Sequence, residues 1–267
     1  MPSPPLLHHQ LAGPADAPLL VLGPSLGTST AVWDPHLPAL ADRYRVLRYD
    51  LPGHGGSPAG LLRGPEPDRT TVEDLASLVL ALVDHHGHDR FHYAGISLGG
   101  ALGAHLAARH PERVASLGLF CSSAHFGPPE PWRERAALVR RQGTEPLLGS
   151  MPKRWFADPG TAETSLGSTL LRNLATADPV GYAACCDALA VYDLRPELAR
   201  ISAPTLVIGG LHDTATPLPH ARELADGIPG ATFRKVATGH LAVEDPSAVG
   251  TALSTHLRTT DSRPVPS

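Results

Sequence analysis

The chain has 267 residues, a formal net charge of −4 and 42% hydrophobic residues. That length fits one α/β domain with an insertion, and the slightly acidic balance excludes a broad nucleic-acid-binding surface. No stretch approaches the roughly 18 consecutive apolar residues that read as a membrane span, and Met1–Pro5 lacks the basic-then-apolar order of a signal peptide. The three cysteines, Cys121, Cys185 and Cys186, form no CxxC pair. They predict reduced thiols in a cytoplasm and argue against a zinc site or a disulfide framework.

Taken in chain order, short apolar runs alternate with helical patterns. This predicts an α/β fold, a mostly parallel sheet with helices on both faces. The predicted strands are Leu6–Leu11, Leu19–Leu22, Arg45–Tyr49, Phe91–Ala94, Val114–Phe120, Thr205–Ile208 and Thr232–Val236. Several are continuously apolar, as central parallel strands buried on both faces should be. A helix is predicted from Val72 to His86, with Leu75, Leu78, Val79, Leu82 and Val83 on one face. Thr70 and Glu73 stand at capping-box spacing, and Gly87 is placed to end the helix in the left-handed conformation. A second helix is expected to follow Ser97 and stop before Pro111, which lacks the N–H to continue it.

Beyond Gly127 the pattern changes. From Pro128 to about Ala199 there are helical stretches without a convincing strand, punctuated by Pro146, Pro152, Pro159 and Pro179. A helical block inserted between strands of one sheet predicts a cap over the sheet's C-terminal edge, where open α/β sheets bind ligands. The expected organisation is a core of residues 1–126 and 201–257, an inserted helical cap at 127–200, and a flexible tail at 258–267.

The chemistry centres on Gly95-Ile96-Ser97-Leu98-Gly99. Following a strand and opening a glycine-rich helix start, this G-x-S-x-G predicts a strained turn that lifts a nucleophilic serine above the sheet. Serine needs a base and the base an orienting acid, expected in the order Ser, Asp or Glu, His after later strands. Asp213 follows the Thr205–Ile208 strand and His240 follows Thr232–Val236, so Ser97, Asp213 and His240 are the predicted triad. His212 neighbours Asp213 but follows the wrong strand for the base. The backbone N–H groups of Leu98 and Leu26 are the predicted oxyanion hole, the second from the loop Gly23-Pro24-Ser25-Leu26-Gly27.

Two other motifs are set aside. His85, His86 and His88 end the amphipathic helix, where imidazoles suit the negative end of the dipole. Without carboxylate or thiol partners at ligand spacing they predict no metal. Asp50-Leu51-Pro52-Gly53-His54-Gly55-Gly56-Ser57 superficially suggests a dinucleotide loop, but the third glycine falls on Pro58 and no helix opens there. It reads as a tight turn bordering the pocket, with Ser57 structural.

These residues resemble the 3-oxoadipate enol-lactonases of aromatic catabolism, the β-ketoadipate pathway, across nearly the whole chain. The likeness lies in Ser25-Leu26-Gly27-Thr28 with Trp33, Arg45–Asp50, Gly53-His54-Gly55, the nucleophile turn and His110–Val114. The cap carries more of it: Trp132 with Arg135-Ala136, Arg154-Trp155-Phe156, and Gly181-Tyr182-Ala183 leading to Asp193-Leu194-Arg195. Asp213-Thr214-Ala215-Thr216-Pro217 is also similar.

The resemblance implies an α/β-hydrolase fold and a serine hydrolase that opens the enol-lactone to 3-oxoadipate through an acyl-enzyme, with no cofactor and no metal. The implied partner is a small-molecule lactone, with neither nucleic acid nor membrane involved. Arg135 is then expected to bind the substrate carboxylate, and Trp132 and Trp155 to wall its flat ring. Two departures stand out: Pro24 replaces the family's usual asparagine, and the short N-terminus is expected to lack the family's outermost strand. Some members are fused ahead of a decarboxylase, so a fused or associated decarboxylase domain is a further expectation. Competing readings are a general carboxylesterase, a cofactor-free perhydrolase, a carbon–carbon bond hydrolase, or a non-catalytic receptor of the same fold.

Overall fold

The computed structural model describes residues 5–62, 64 and 66–261. Among these, one seven-stranded sheet runs in the order β1-β3-β2-β4-β5-β6-β7. Its strands are β1 (His9–Ala12), β2 (Leu19–Gly23), β3 (Arg45–Tyr49), β4 (Phe91–Ile96), β5 (Val114–Phe120), β6 (Thr205–Gly210) and β7 (Thr232–Val236). β1 is antiparallel to β3, and every other neighbouring pair is parallel. Strands β2, β4 and β6 are buried at every position, which their unbroken apolar or small residues allow. β7 lies at the sheet's edge and leaves Thr232, Arg234 and Lys235 exposed.

The first strand begins later than the predicted Leu6–Leu11. Pairing runs only from His9 opposite Tyr49 to Ala12 opposite Val46. The preceding residues serve packing instead: Leu7 is buried in the core, and the His8 imidazole lies 2.7 Å from the Asp50 carboxylate.

Helices α1 (Leu37–Ala41), α2 (Val72–His85) and α3 (Leu98–Arg109) precede the cap. α2 opens one residue later than its predicted cap. Thr71 is the N-cap, its hydroxyl accepting from Asp74 N while Asp74 accepts from Thr71 N at 2.8 Å. Thr70 is instead buried and donates to the Gly64 carbonyl at 3.1 Å. Gly87 takes φ +73° after the helix, as its position predicted. α3 is buried through Ala108 and rich in small residues, because it lies directly on the strands. A Cβ at Gly103 would stand 2.4 Å from the Tyr93 ring, and one at Gly99 2.5 Å from the Gly23 backbone.

The cap comprises α4 (Pro129–Gln142), α5 (Glu145–Leu148), α6 (Met151–Trp155), α7 (Ser165–Ala175) and α8 (Pro179–Val191), all between β5 and β6. Its neck is pinned where His125 bridges Asp193 and Leu194 N donates to Ala124 O at 2.8 Å. α8 is buried from Gly181 to Ala190, as an apolar helix between cap and core must be. It docks on the Pro52–Gly55 turn through Gly181 and Gly53, where a Cβ on Gly181 would stand 2.5 Å from Gly53 Cα.

After β6 come α9 (Leu218–Gly227) and α10 (Pro246–Asp261). The tail expected from Arg258 is therefore corrected as far as Asp261, which continues α10. Leu257 is buried there, and Asp261 accepts from Tyr44 Oη at 2.5 Å and lies 3.3 Å from His92. Residues 262–267 lie outside the described residues.

The strand order places the site. After β2 the chain moves to one side for β3, then crosses back to lay β4 on the other side of β2. At such a switch point the loops leaving two neighbouring strands diverge and open a crevice. The loops after β2 and β4 carry Leu26 and Ser97.

Candidate active site

Ser97 joins β4 to α3 with φ +55° and ψ −116°, a backbone conformation unusual for a residue with a Cβ. Tertiary bonds hold it there. Ser97 N donates to Phe120 O at 2.9 Å, and Ser97 O accepts from Ser122 Oγ at 2.7 Å and Ala101 N at 3.0 Å. Glycine is required on either side, since a Cβ on Gly95 would stand 2.2 Å from Gly99 O.

Asp213, 5% exposed, lies in the loop after β6, and His240, also 5% exposed, in the loop after β7. His240 Nδ1 is 3.0 and 3.1 Å from the two Asp213 oxygens. An ionised carboxylate only accepts, so Nδ1 carries the proton and Nε2 is left as the basic nitrogen. Asp213 also accepts from Ala215 N at 2.7 Å, Thr216 N at 3.0 Å and Thr216 Oγ1 at 2.7 Å. Burial pushes its pKa up, but His240 and the Thr216 bonds outweigh burial and hold the carboxyl below the usual carboxylate range.

Ser97 and His240 line one cavity. No hydrogen bond joins Ser97 Oγ to His240 among the described residues, whereas His240 and Asp213 are linked. A serine hydroxyl turns freely about χ1, and such links commonly tighten only in the Michaelis complex. The Leu98 N–H opens α3 and has no carbonyl of its own helix to bond. Leu26 lines the cavity opposite, in a loop held by Thr28 donating to Ser25 O from both its N–H, at 3.1 Å, and its hydroxyl, at 2.8 Å.

The cap closes the cavity. Trp132 and Arg135 from α4, Arg154 and Trp155 from α6, and Tyr182 from α8 all line it. Trp132 donates to Phe126 O at 2.8 Å, and the Arg135 guanidinium lies 5.1 Å from the Trp132 ring centroid. Arg154 was not assigned a role from sequence: α6 has only five residues, too few for a periodic face to show. Burial and then the Arg135 charge push Arg154 below the usual guanidinium range. Neither arginine has an ion-pair partner among the described residues. Two cations sharing a cavity without a carboxylate form a place for an anion. The free space between these side chains is about 20 Å³, room for about one water.

The remaining sequence candidates lie elsewhere. His212 is exposed, and Ser57 donates to Asp50 O at 2.8 Å as part of its turn. His86 meets His9 edge-on, with Nε2 atoms 2.9 Å apart. A groove of about 850 Å³ between α10 and the β6–β7 edge shares no residue with the Ser97 cavity. Space alone does not mark this site; convergent reactive groups do.

Residues 6–153 match the family model described as the alpha/beta hydrolase fold. The chain is 36% identical over 257 residues to 3-oxoadipate enol-lactonase 2 of Acinetobacter baylyi, covering 94% of this chain and 93% of that one. The chain belongs to the 3-oxoadipate enol-lactonases of the α/β-hydrolase superfamily. The crystal structure of the enol-lactonase from Burkholderia xenovorans superposes with a TM-score of 0.89 at 37% identity, over 94% of this chain and 96% of that one. A putative carbamate hydrolase of Stutzerimonas stutzeri is 32% identical, covering 94% of this chain and 96% of that one. By this kinship the chain is a carboxylic ester hydrolase. Among the described residues no helix is long and apolar enough to cross a membrane.

Proposed function

We propose that this enol-lactonase relative opens 3-oxoadipate enol-lactone to 3-oxoadipate through an acyl-enzyme on Ser97. The observation that carries the reading is the pair of guanidiniums without a carboxylate partner, Arg135 and Arg154, facing the same cavity as Ser97 and His240. A lactone bearing a carboxylate matches that arrangement: its ester meets the nucleophile while its charge meets the arginines.

In this mechanism Ser97 Oγ attacks the lactone carbonyl as His240 Nε2 takes its proton. Asp213 holds the imidazole tautomer and stabilises the imidazolium. The oxyanion rests on the Leu26 and Leu98 N–H groups. Collapse of the tetrahedral intermediate breaks the ring C–O bond and expels an enolate, which takes a proton from His240 or solvent and ketonises. The opened chain remains tethered to Ser97. Water, activated by His240, then attacks the acyl carbon and releases the new carboxylate. Trp132 and Trp155 wall the ring meanwhile.

The test is an ultraviolet assay of enol-lactone loss beside neutral aryl esters, with Ser97→Ala as control. Preference for the enol-lactone supports the reading. Turnover of aryl esters without turnover of the enol-lactone would assign a general esterase instead.

A further inference from the structure

Glu244 stands four residues after His240, and its carboxylate accepts four hydrogen bonds. Oε2 accepts from Gly239 N at 2.7 Å and Ala157 N at 2.8 Å; Oε1 accepts from Asp158 N at 3.0 Å and Thr161 Oγ1 at 3.2 Å. The first donor adjoins His240. The other three belong to the cap, in the segment leaving α6. Each donor is neutral, and no lysine or arginine pairs with Glu244 among the described residues. The carboxylate is therefore a junction between two backbones rather than half of an ion pair.

The two segments are also laid together by shape. Leu241 N donates to Trp155 O at 3.2 Å. A Cβ on Gly239 would stand 2.6 Å from Ala157 N and 2.7 Å from Trp155 O, so only glycine allows this approach. Between His240 and Glu244, Ala242 takes φ +55°, a conformation that local preference opposes and outside contacts must hold.

We propose that Glu244 is a positioning residue that registers the His240 loop against the cap segment Ala157–Thr161, so that the imidazole is correctly aimed only while this segment is seated. That segment follows Trp155, which lines the Ser97 cavity beside Arg154. Seating of the cap over a substrate is thereby linked to placement of the base. This inference rests on the hydrolase reading of Ser97 and His240.

Three variants of the whole chain test it. Glu244→Gln replaces part of the acceptor set with an NH₂ that cannot accept. Thr161→Val removes one cap-side bond and leaves the His240 loop chemically intact. The double variant completes the cycle. The first readout is the rate at which a fluorophosphonate labels Ser97, measured well below the melting temperature. Glu244→Gln is expected to slow labelling about tenfold or more, the scale of a lost charge-assisted bond. Thr161→Val should slow it by a smaller factor, with the double variant less than additive. For an aryl ester, kcat should fall while KM holds.

The second readout, the NMR resonance of the His240 Nδ1 proton, needs no activity and should shift or broaden in both single variants. Parental labelling and an unshifted resonance in the folded Thr161→Val and Glu244→Gln chains would overturn the proposal. A parent that takes no label would overturn the hydrolase reading alone, and the resonance would still decide for or against Glu244.

Discussion

A serine at φ +55° carries a backbone strain of about 1–2 kcal/mol that glycine would escape. Ser97→Gly and Ser97→Ala should both be inactive, with Ser97→Gly about 1 kcal/mol the more stable in denaturant unfolding. Asp213→Asn should lower kcat by on the order of 10⁴, because the amide favours the wrong imidazole tautomer. Near-normal turnover of the folded variant would assign the orienting role to another acid. The same aspartate sets a pH dependence. Its folded pKa lies below the unfolded value of about 3.9, so its stabilisation is complete above that pH and lost as pH falls through the folded value. The stability difference between the parent and Asp213→Asn should therefore hold from about pH 7 to 5 and shrink below about pH 4, read by denaturation at each pH. At the arginines, Arg154→Ala and Arg135→Ala should each reduce kcat/KM for the carboxylate-bearing lactone by about 10- to 100-fold while sparing neutral aryl esters. Equal losses on charged and neutral substrates would remove the carboxylate role.

Among the elements, α8 decides how closely the cap seats. Gly181 meets Gly53 backbone to backbone, Asp178 N donates to Gly53 O at 2.8 Å, and the His54 ring stacks on Tyr182 with centroids 5.8 Å apart. Gly181→Ala forces a Cβ to within 2.5 Å of Pro52 O. Overpacking of this kind should cost about 1–3 kcal/mol and lift Tyr182 from the cavity, lowering the melting temperature and raising KM together. Gly149→Ala is the matched control. Gly149 takes φ −63° with open space where a Cβ would stand, so alanine should be neutral or stabilising by up to about 1 kcal/mol. A Gly181→Ala chain as stable and active as the parent would show that the docking contact yields without consequence.

In the molecule as a whole, the cavity of about 20 Å³ falls well short of the roughly 300 Å³ at the lower end of small-molecule pockets. The substrate does not fit this space as it stands, so α4, α6 or the side chains they carry must move to admit it. Trp132 and Trp155 ride on those helices, while Trp33 is fixed in the core and donates to Gly23 O at 3.0 Å. Titrating 3-oxoadipate into Ser97→Ala should therefore give a saturable change in tryptophan emission, absent from the Trp132→Phe/Trp155→Phe double variant. Binding seen by calorimetry without such a change would mean that side-chain rotation alone admits the ligand.

Short-range chemistry makes much of this legible in the residues themselves. The unbroken apolar runs of β2, β4 and β6 announce central parallel strands, and the turn at Ser97 permits only small neighbours. Asp213 and His240 follow their strands in the order that the chemistry requires. The block of helices without strands marks the cap. Contacts between distant segments are not legible in this way. Thr70 and Thr71 offer the same hydroxyl, and only the packing of Thr70 against the core shows that Thr71 begins α2. The sequence at Arg258–Asp261 reads as polar tail until Tyr44 and His92 are found beside Asp261. Arg154 lies in a five-residue helix whose inward face depends on how the cap sits. Glu244 belongs to no motif in the sequence, and its four donors meet only where the cap packs on the His240 loop. Local sequence determines backbone conformation and burial preference, because those energies act within a few residues. Partners brought together across the fold are decided only when the chain closes on itself.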